Sequence, residues 1–196
     1  AVITGYQSAR IDLPGATRFH NPDWATTNMV YSLFCAEAAF ADELVIAYGD
    51  ICYEQAVLEK LCASDAEAAV VVDRGWRRYW TDRSDDPLSD TESLRTDAGG
   101  NIVSIGQKVA TLDEVEGQYI GLMRFQGAGL AAMRQCWHDG LDAAARGEDL
   151  FQLGRDYNKL YMTDLLMALV RRGLKLQAVD IDRGWLEVDS AEDFDY

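Results

Sequence analysis

The stretch Ala68–Asp73, "AAVVVD", constrains the fold most. It is an unbroken apolar run closed by one acid, too short for an isolated helix and rich in β-branched residues. Such a run suits a strand covered on both faces, which in turn calls for helices above and below a sheet. Ahead of it, Leu44–Tyr48 reads as another apolar strand, and Gln55–Cys62 reads as a helix with Val57, Leu58 and Leu61 on its inner side. Strand, helix and strand at this spacing predict a βαβ unit, hence an α/β fold with a Rossmann-like mixed, mainly parallel sheet. Further strands are expected at Ala1–Thr4, Phe19–Asn21, Gln118–Phe125, Leu174–Val179 and Trp185–Val188. Helices are expected at Asn28–Phe40, Gly129–Arg146 and Asn158–Arg172, the last closed by Arg171, Arg172 and Gly173. "LRTDAGGNIVSIG" predicts a small β-hairpin turning at Gly99-Gly100. The polar stretch 82–91 reads as a loop.

Composition narrows the partners. The 196 residues are 48% hydrophobic, enough for one domain spanning 1–196 to bury its own core. A net charge of −15 leaves no basic stripe to displace counterions, so a nucleic-acid polymer is not expected. No stretch is long and apolar enough for a membrane span, and no signal-peptide pattern opens the chain. Cys35, Cys52, Cys62 and Cys136 show no metal-ligand spacing and read as buried, reduced thiols, which favours the cytoplasm. His20 and His138 lack a Ser or Cys partner at a telling spacing, so no hydrolase triad is supported.

The candidate chemistry lies past the strand ends. In open α/β sheets ligands bind beyond the carboxyl ends of the strands, and Asp50 follows such an end after Gly49. A carboxylate there either caps the following helix or holds a cation. In "GWLEVDSAEDF" alternation puts Trp185, Glu187 and Asp189 on one face and Leu186 and Val188 on the other. The apolar pair is expected to pack inward, leaving the indole and the two acids facing a site. Asp50 and Asp189, converging from distant strands, would suit Mg²⁺. Asp189 or Ser190 capping a terminal helix is the competing reading.

These residues also carry a family resemblance. "TGYQSARI", "NPDWATTNMVYSL", "YGDICYE", "VVVDRGWRRYW", "GQYIGLMRF", "YMTDLLMALV" and "GWLEVDSAEDF" stand in the order seen in nucleotidyltransferases with the nucleotide-diphosphosugar transferase fold. The chain looks most like the phosphocholine cytidylyltransferase-like branch. The resemblance implies Mg²⁺ held by Asp50 and Asp189, and substrate-binding family positions at Asn28 and Ser32. It implies nucleotidyl transfer from CTP to a small phosphorylated amine, such as phosphocholine or an aminoalkyl phosphonate, with pyrophosphate released. One departure stands out. The family opens with a Gly-rich, Arg-containing loop and a Pro-Lys motif that grip the triphosphate, whereas this chain starts in what would be the second strand. Its first βα segment is therefore expected to be missing.

Lys108 is a candidate to meet the acceptor phosphate, or a solvated lysine after a strand. Trp76, Tyr79, Trp80, Tyr119 and Trp185 are candidates for an aromatic box around an ammonium group, with core packing as the alternative for the helical ones. Asp73 or Glu92 would favour a cation beside that box, while Arg77, Arg78 and Arg83 would favour a phosphate. Glu187 reads as a partner of the metal site or as an exposed strand residue. Two other readings stay open: a sugar-1-phosphate nucleotidyltransferase, and a non-catalytic binding domain of the same fold. The sequence admits a homo-oligomer without specifying one.

Overall fold

The computed structural model describes residues 1–83, 86–88, 91–152, 154–190 and 193; the side chain of Arg83 and much of the expected 82–91 loop lie outside the described residues. In chain order the elements are β1 (Val2–Thr4), β2 (Arg18–His20), α1 (Met29–Phe34), β3 (Glu43–Ala47), β4 (Ile51–Tyr53), α2 (Gln55–Cys62), β5 (Ala68–Asp73), α3 (Trp76–Arg83), β6 (Glu92–Thr96), β7 (Ile102–Lys108), β8 (Gln118–Gln126), α4 (Gly127–Ala145), α5 (Met162–Arg171), β9 (Gln177–Ile181) and β10 (Trp185–Glu187).

The central sheet has the order β3-β8-β5-β9. β8 pairs antiparallel with both β3 and β5, and β9 pairs parallel with β5. Three strands therefore point one way and β8 runs against them. The sheet is mixed, and mainly parallel in strand direction, as expected. The simple βαβ picture needs correction, however: β3 and β5 do not pair, because β8 lies between them. Sequence spacing shows that two strands share a direction, not what slips between them later in the chain.

The run Ala68–Asp73 owes its continuity to two cores. Ala68, Val70 and Val72 pack with Leu33 of α1, Met133 of α4 and Leu165 of α5 on one face. Ala69 and Val71 pack with Val57 and Leu61 of α2 and with Trp76 and Tyr79 of α3 on the other. Each Val or Leu removed from water here contributes roughly 1.5–3 kcal/mol. No described helix is long and apolar enough to cross a membrane.

Smaller differences follow from local chemistry. The helix expected over Asn28–Phe40 stops at Phe34 and resumes as one 3-10 turn at Glu37–Ala39. The helix expected from Asn158 starts at Met162, after a separate 3-10 turn at Tyr157–Lys159. Cys52 and Cys62 are exposed and only Cys136 is buried, which corrects the expectation of buried thiols; all four are free. The hairpin β6-β7 forms as expected, and Leu94, Ile102 and Ile105 fix it on the α5 side of the sheet.

Candidate active site

β3 runs into the turn Tyr48-Gly49-Asp50, and the chain leaves it as β4. β10 pairs antiparallel with β4, placing Glu187 opposite Ile51. The ladder continues one step further, where the Val188 N–H donates to the Asp50 carbonyl oxygen at 2.8 Å. This register brings the acids together. One carboxylate oxygen from each of Asp50, Glu187 and Asp189 lies within 4.8 Å of the others. Asp193 then fixes the exit of the strand, its Oδ2 accepting from the backbone N–H groups of Asp189 (2.9 Å) and Ser190 (2.8 Å).

Three like charges at an open rim repel one another unless a cation joins them. Hard carboxylate oxygens with room for water and phosphate fit Mg²⁺, which takes one or two protein carboxylates and fills its shell from solvent and substrate. The rim is open at Gly49, where a Cβ would meet nothing within 4 Å.

Two clefts flank the acids. One, of about 280 Å³, is lined by Trp80, Lys108, Gln118, Tyr119, Glu187 and Asp189 among others. The second, of about 270 Å³, is lined by Ser32, Gly49 and Asp50 beside apolar groups of β1, β3 and α1. Met29 and Tyr48 belong to both, so the clefts adjoin there, with Asp50 lining one and Glu187 and Asp189 the other. A larger cavity of about 440 Å³ near Phe151 and Arg171 contains none of the expected site residues. Tyr48 packs edge-on against Tyr119 with ring centroids 5.7 Å apart. Gly121 permits this, since its positive φ of 78° suits glycine and a Cβ would stand 2.6 Å from the Tyr48 ring. Burial pushes the Tyr119 hydroxyl well above its usual range, and the Glu92 and Asp50 charges push it the same way. Burial does the same to Tyr48. Both phenols are therefore neutral hydrogen-bonding groups at neutral pH.

The aromatic box does not form as expected. Trp76, Tyr79 and Trp185 are 2%, 2% and 3% exposed and pack into the core beneath α3. The face assignment of β10 is reversed, because Leu186 is 44% exposed while Trp185 points inward. The pull on the indole is Asp73, whose Oδ2 accepts from Trp185 Nε1 at 2.9 Å. Asp73 is itself fully buried and takes further bonds from the backbone N–H groups of Gly75 and Arg183, so it faces no ligand. Of the expected aromatics, Trp80 and Tyr119 reach the cleft; Tyr48 and Tyr161 also line it and were not anticipated. Gln118 and Thr163 are further unanticipated lining residues; they lie inside two of the motifs that carry the family resemblance but are given no role there.

Asn28 caps α1, its Oδ1 accepting from the Met29 N–H at 2.8 Å, and it lines neither cleft. Ser32 does line the second cleft while accepting from Asn21 Nδ2 at 2.9 Å. Arg77 is held by Asp113 at 2.9 Å, and Arg78 lies 3.6 Å from Asp82.

No established family profile matches the chain. A curated relative, the CTP:phosphoglutamine cytidylyltransferase of Campylobacter jejuni, is 34% identical over 183 residues, covering 90% of this chain and 70% of the relative. Among solved structures, the inositol-1-phosphate CTP transferase from T. maritima superposes with a TM-score of 0.61 at 14% identity, over 90% of this chain and 61% of that one. The CTP:phosphocholine cytidylyltransferase from Streptococcus pneumoniae gives 0.58 at 14% identity, over 92% and 67%. The chain thus spans about three-fifths to two-thirds of these solved structures, which establish the fold. With 34% identity to that relative along nine-tenths of its length, and with the nucleotidyltransferase fold around its rim of acids, the chain belongs to the cytidylyltransferase branch of the nucleotidyltransferase enzymes.

Proposed function

We propose that this protein transfers a cytidylyl group from CTP to a small phosphorylated acceptor carrying an amine, and that the reaction depends on Mg²⁺. The observation that carries this reading is the cluster of Asp50, Glu187 and Asp189, which lines two adjoining clefts. The relative acts on phosphoglutamine by name, so a phosphorylated, nitrogen-bearing acceptor is the natural class.

In this reading the nucleotide occupies the cleft of Ser32, Gly49 and Asp50, and the acceptor occupies the cleft of Lys108 and Tyr119. Lys108 meets the acceptor phosphate as a point charge. Glu92 favours a cationic group on the same molecule, and the Trp80 and Tyr119 rings supply apolar walls. An acceptor phosphate oxygen attacks the α-phosphorus of CTP. That P–O bond forms as the bond to the β-phosphate bridge breaks, and pyrophosphate leaves. A phosphate is largely ionised at neutral pH, so the attack needs no protein base. Positioning and charge neutralisation do the rest. Asp50 and Asp189, with Glu187, would hold Mg²⁺. When bound, the ion supplies the charge that neutralises the phosphates in the transition state.

The test is a matrix of CTP, UTP and GTP against phosphoglutamine, phosphocholine and glucose 1-phosphate, scored by pyrophosphate release from the full-length protein with and without EDTA. The expected result is Mg²⁺-dependent release with CTP and a phosphorylated amine. Release with glucose 1-phosphate and UTP would instead establish the sugar-1-phosphate reading. No release in any well would favour the binding domain.

A further inference from the structure

We infer that the Tyr79 hydroxyl is a positioning group for the acid cluster; the inference rests on the reading that Asp50, Glu187 and Asp189 hold the divalent ion. Among the described residues β10 pairs with one strand, β4. The Val188 N–H bonds to Asp50 at 2.8 Å, and the Gly184 carbonyl accepts from Glu54 at 2.9 Å, so these residues turn their backbone toward β4. In an antiparallel pair the intervening residues turn theirs away. Glu187 is such a residue, and its outward N–H and C=O both meet one side chain. The Glu187 N–H donates to Tyr79 Oη at 3.0 Å, and Tyr79 Oη–H donates to the Glu187 carbonyl at 3.3 Å. A phenol offers one donor and two lone pairs, so it can serve both groups at once. One hydroxyl stands where a neighbouring strand would otherwise have to be.

The ring that carries it is held firmly. Tyr79 is 2% exposed. Trp80 and Trp185 meet it edge-on with centroids 5.4 and 5.7 Å away, and the Arg183 guanidinium lies 4.1 Å from its centroid. The ring fills core, which a phenylalanine would also do. The hydroxyl adds something a core ring lacks: it fixes the backbone of the residue that presents a carboxylate to Asp50 and Asp189. Tyr79 does not itself line either cleft, so its effect passes through Glu187.

The decisive variant is Tyr79→Phe in the full-length protein, with Mn²⁺ binding followed by electron paramagnetic resonance in the absence of nucleotide. Loss of the two bonds is expected to weaken Mn²⁺ affinity by about tenfold. The half-saturating metal concentration for turnover should rise in parallel, while the acceptor KM at saturating metal stays unchanged. Unaltered Mn²⁺ affinity with a lower melting temperature would overturn the inference and leave Tyr79 as a core residue. If Tyr79→Phe fails to fold, 3-fluorotyrosine placed at this position keeps the hydroxyl, and its ¹⁹F resonance must shift when Mg²⁺ is added; a stationary resonance overturns the inference. Asp50→Asn separates the two levels. Wild-type Mn²⁺ affinity in Asp50→Asn would refute the metal site itself, whatever Tyr79→Phe does.

Discussion

Asp73 and Asp50 stand just at or past the ends of β5 and β3, two strands that run the same way in one sheet, yet the molecule uses them oppositely. Asp73 is fully buried, and its carboxylate accepts from Gly75 N (2.8 Å), Arg183 N (2.9 Å) and Trp185 Nε1 (2.9 Å), with the Arg183 guanidinium 3.3 Å away. A carboxylate taken out of water persists only with such a set of donors. Asp50 is exposed, and among the described residues no side chain or backbone N–H donates to its carboxylate. Its near neighbours are two more acids. One aspartate is consumed by the fold, and the other keeps its acceptor capacity unspent. Position at a strand end therefore does not by itself mark a functional acid; the state of its hydrogen-bonding capacity does.

The comparison can be broken most forcefully at Asp50. Asp50→Asn removes one charge and almost no volume, and Mg²⁺-dependent turnover of the full-length protein is expected to fall by about 10²–10³-fold or more. Its stability should stay within about 0.5 kcal/mol of wild type, as for other exposed substitutions. Retained turnover would remove Asp50 from the site. Asp73→Asn should show the reverse. It leaves Arg183 and the indole N–H poorly matched, and urea titration is expected to report a loss of about 3 kcal/mol. Mn²⁺ affinity of the folded fraction should be unchanged, and a large drop would show that Asp73 reaches the site. The smallest effect belongs to Trp185→Phe, which forfeits the bond to Asp73 and some volume at about 1–2 kcal/mol. The acceptor KM should not move. A selective rise in that KM would restore Trp185 to the acceptor site.

Regular elements were legible wherever periodicity and end signals agreed. α2 and β5 lie at the expected residues, because amphipathic spacing and an unbroken apolar run each admit few alternatives. The convergence of Asp50 and Asp189 was also readable, from an acid past a strand end and an alternating motif near the C-terminus. The inward face of β10 was not. Alternation showed that Trp185 and Leu186 face opposite ways, but the choice between them depended on a buried acceptor more than a hundred residues earlier. Much of the cleft wall was illegible for a similar reason. Gln118, Tyr161 and Thr163 come from different elements, and only the pairing of β8 between β3 and β5, with the seat of α5 beside β7, brings them together.

The bond from Val188 to Asp50 has one more consequence. The two aspartates sit on adjoining arms of a single narrow ribbon, so their separation is a local dimension, set by the pitch of one ladder. Rigid-body shifts of the large sheet or of the helices behind it can carry the pair to a new place against its substrates without prying it apart. Substitutions in the distant cores should therefore alter how well substrates are met far more than how well the ion is gripped.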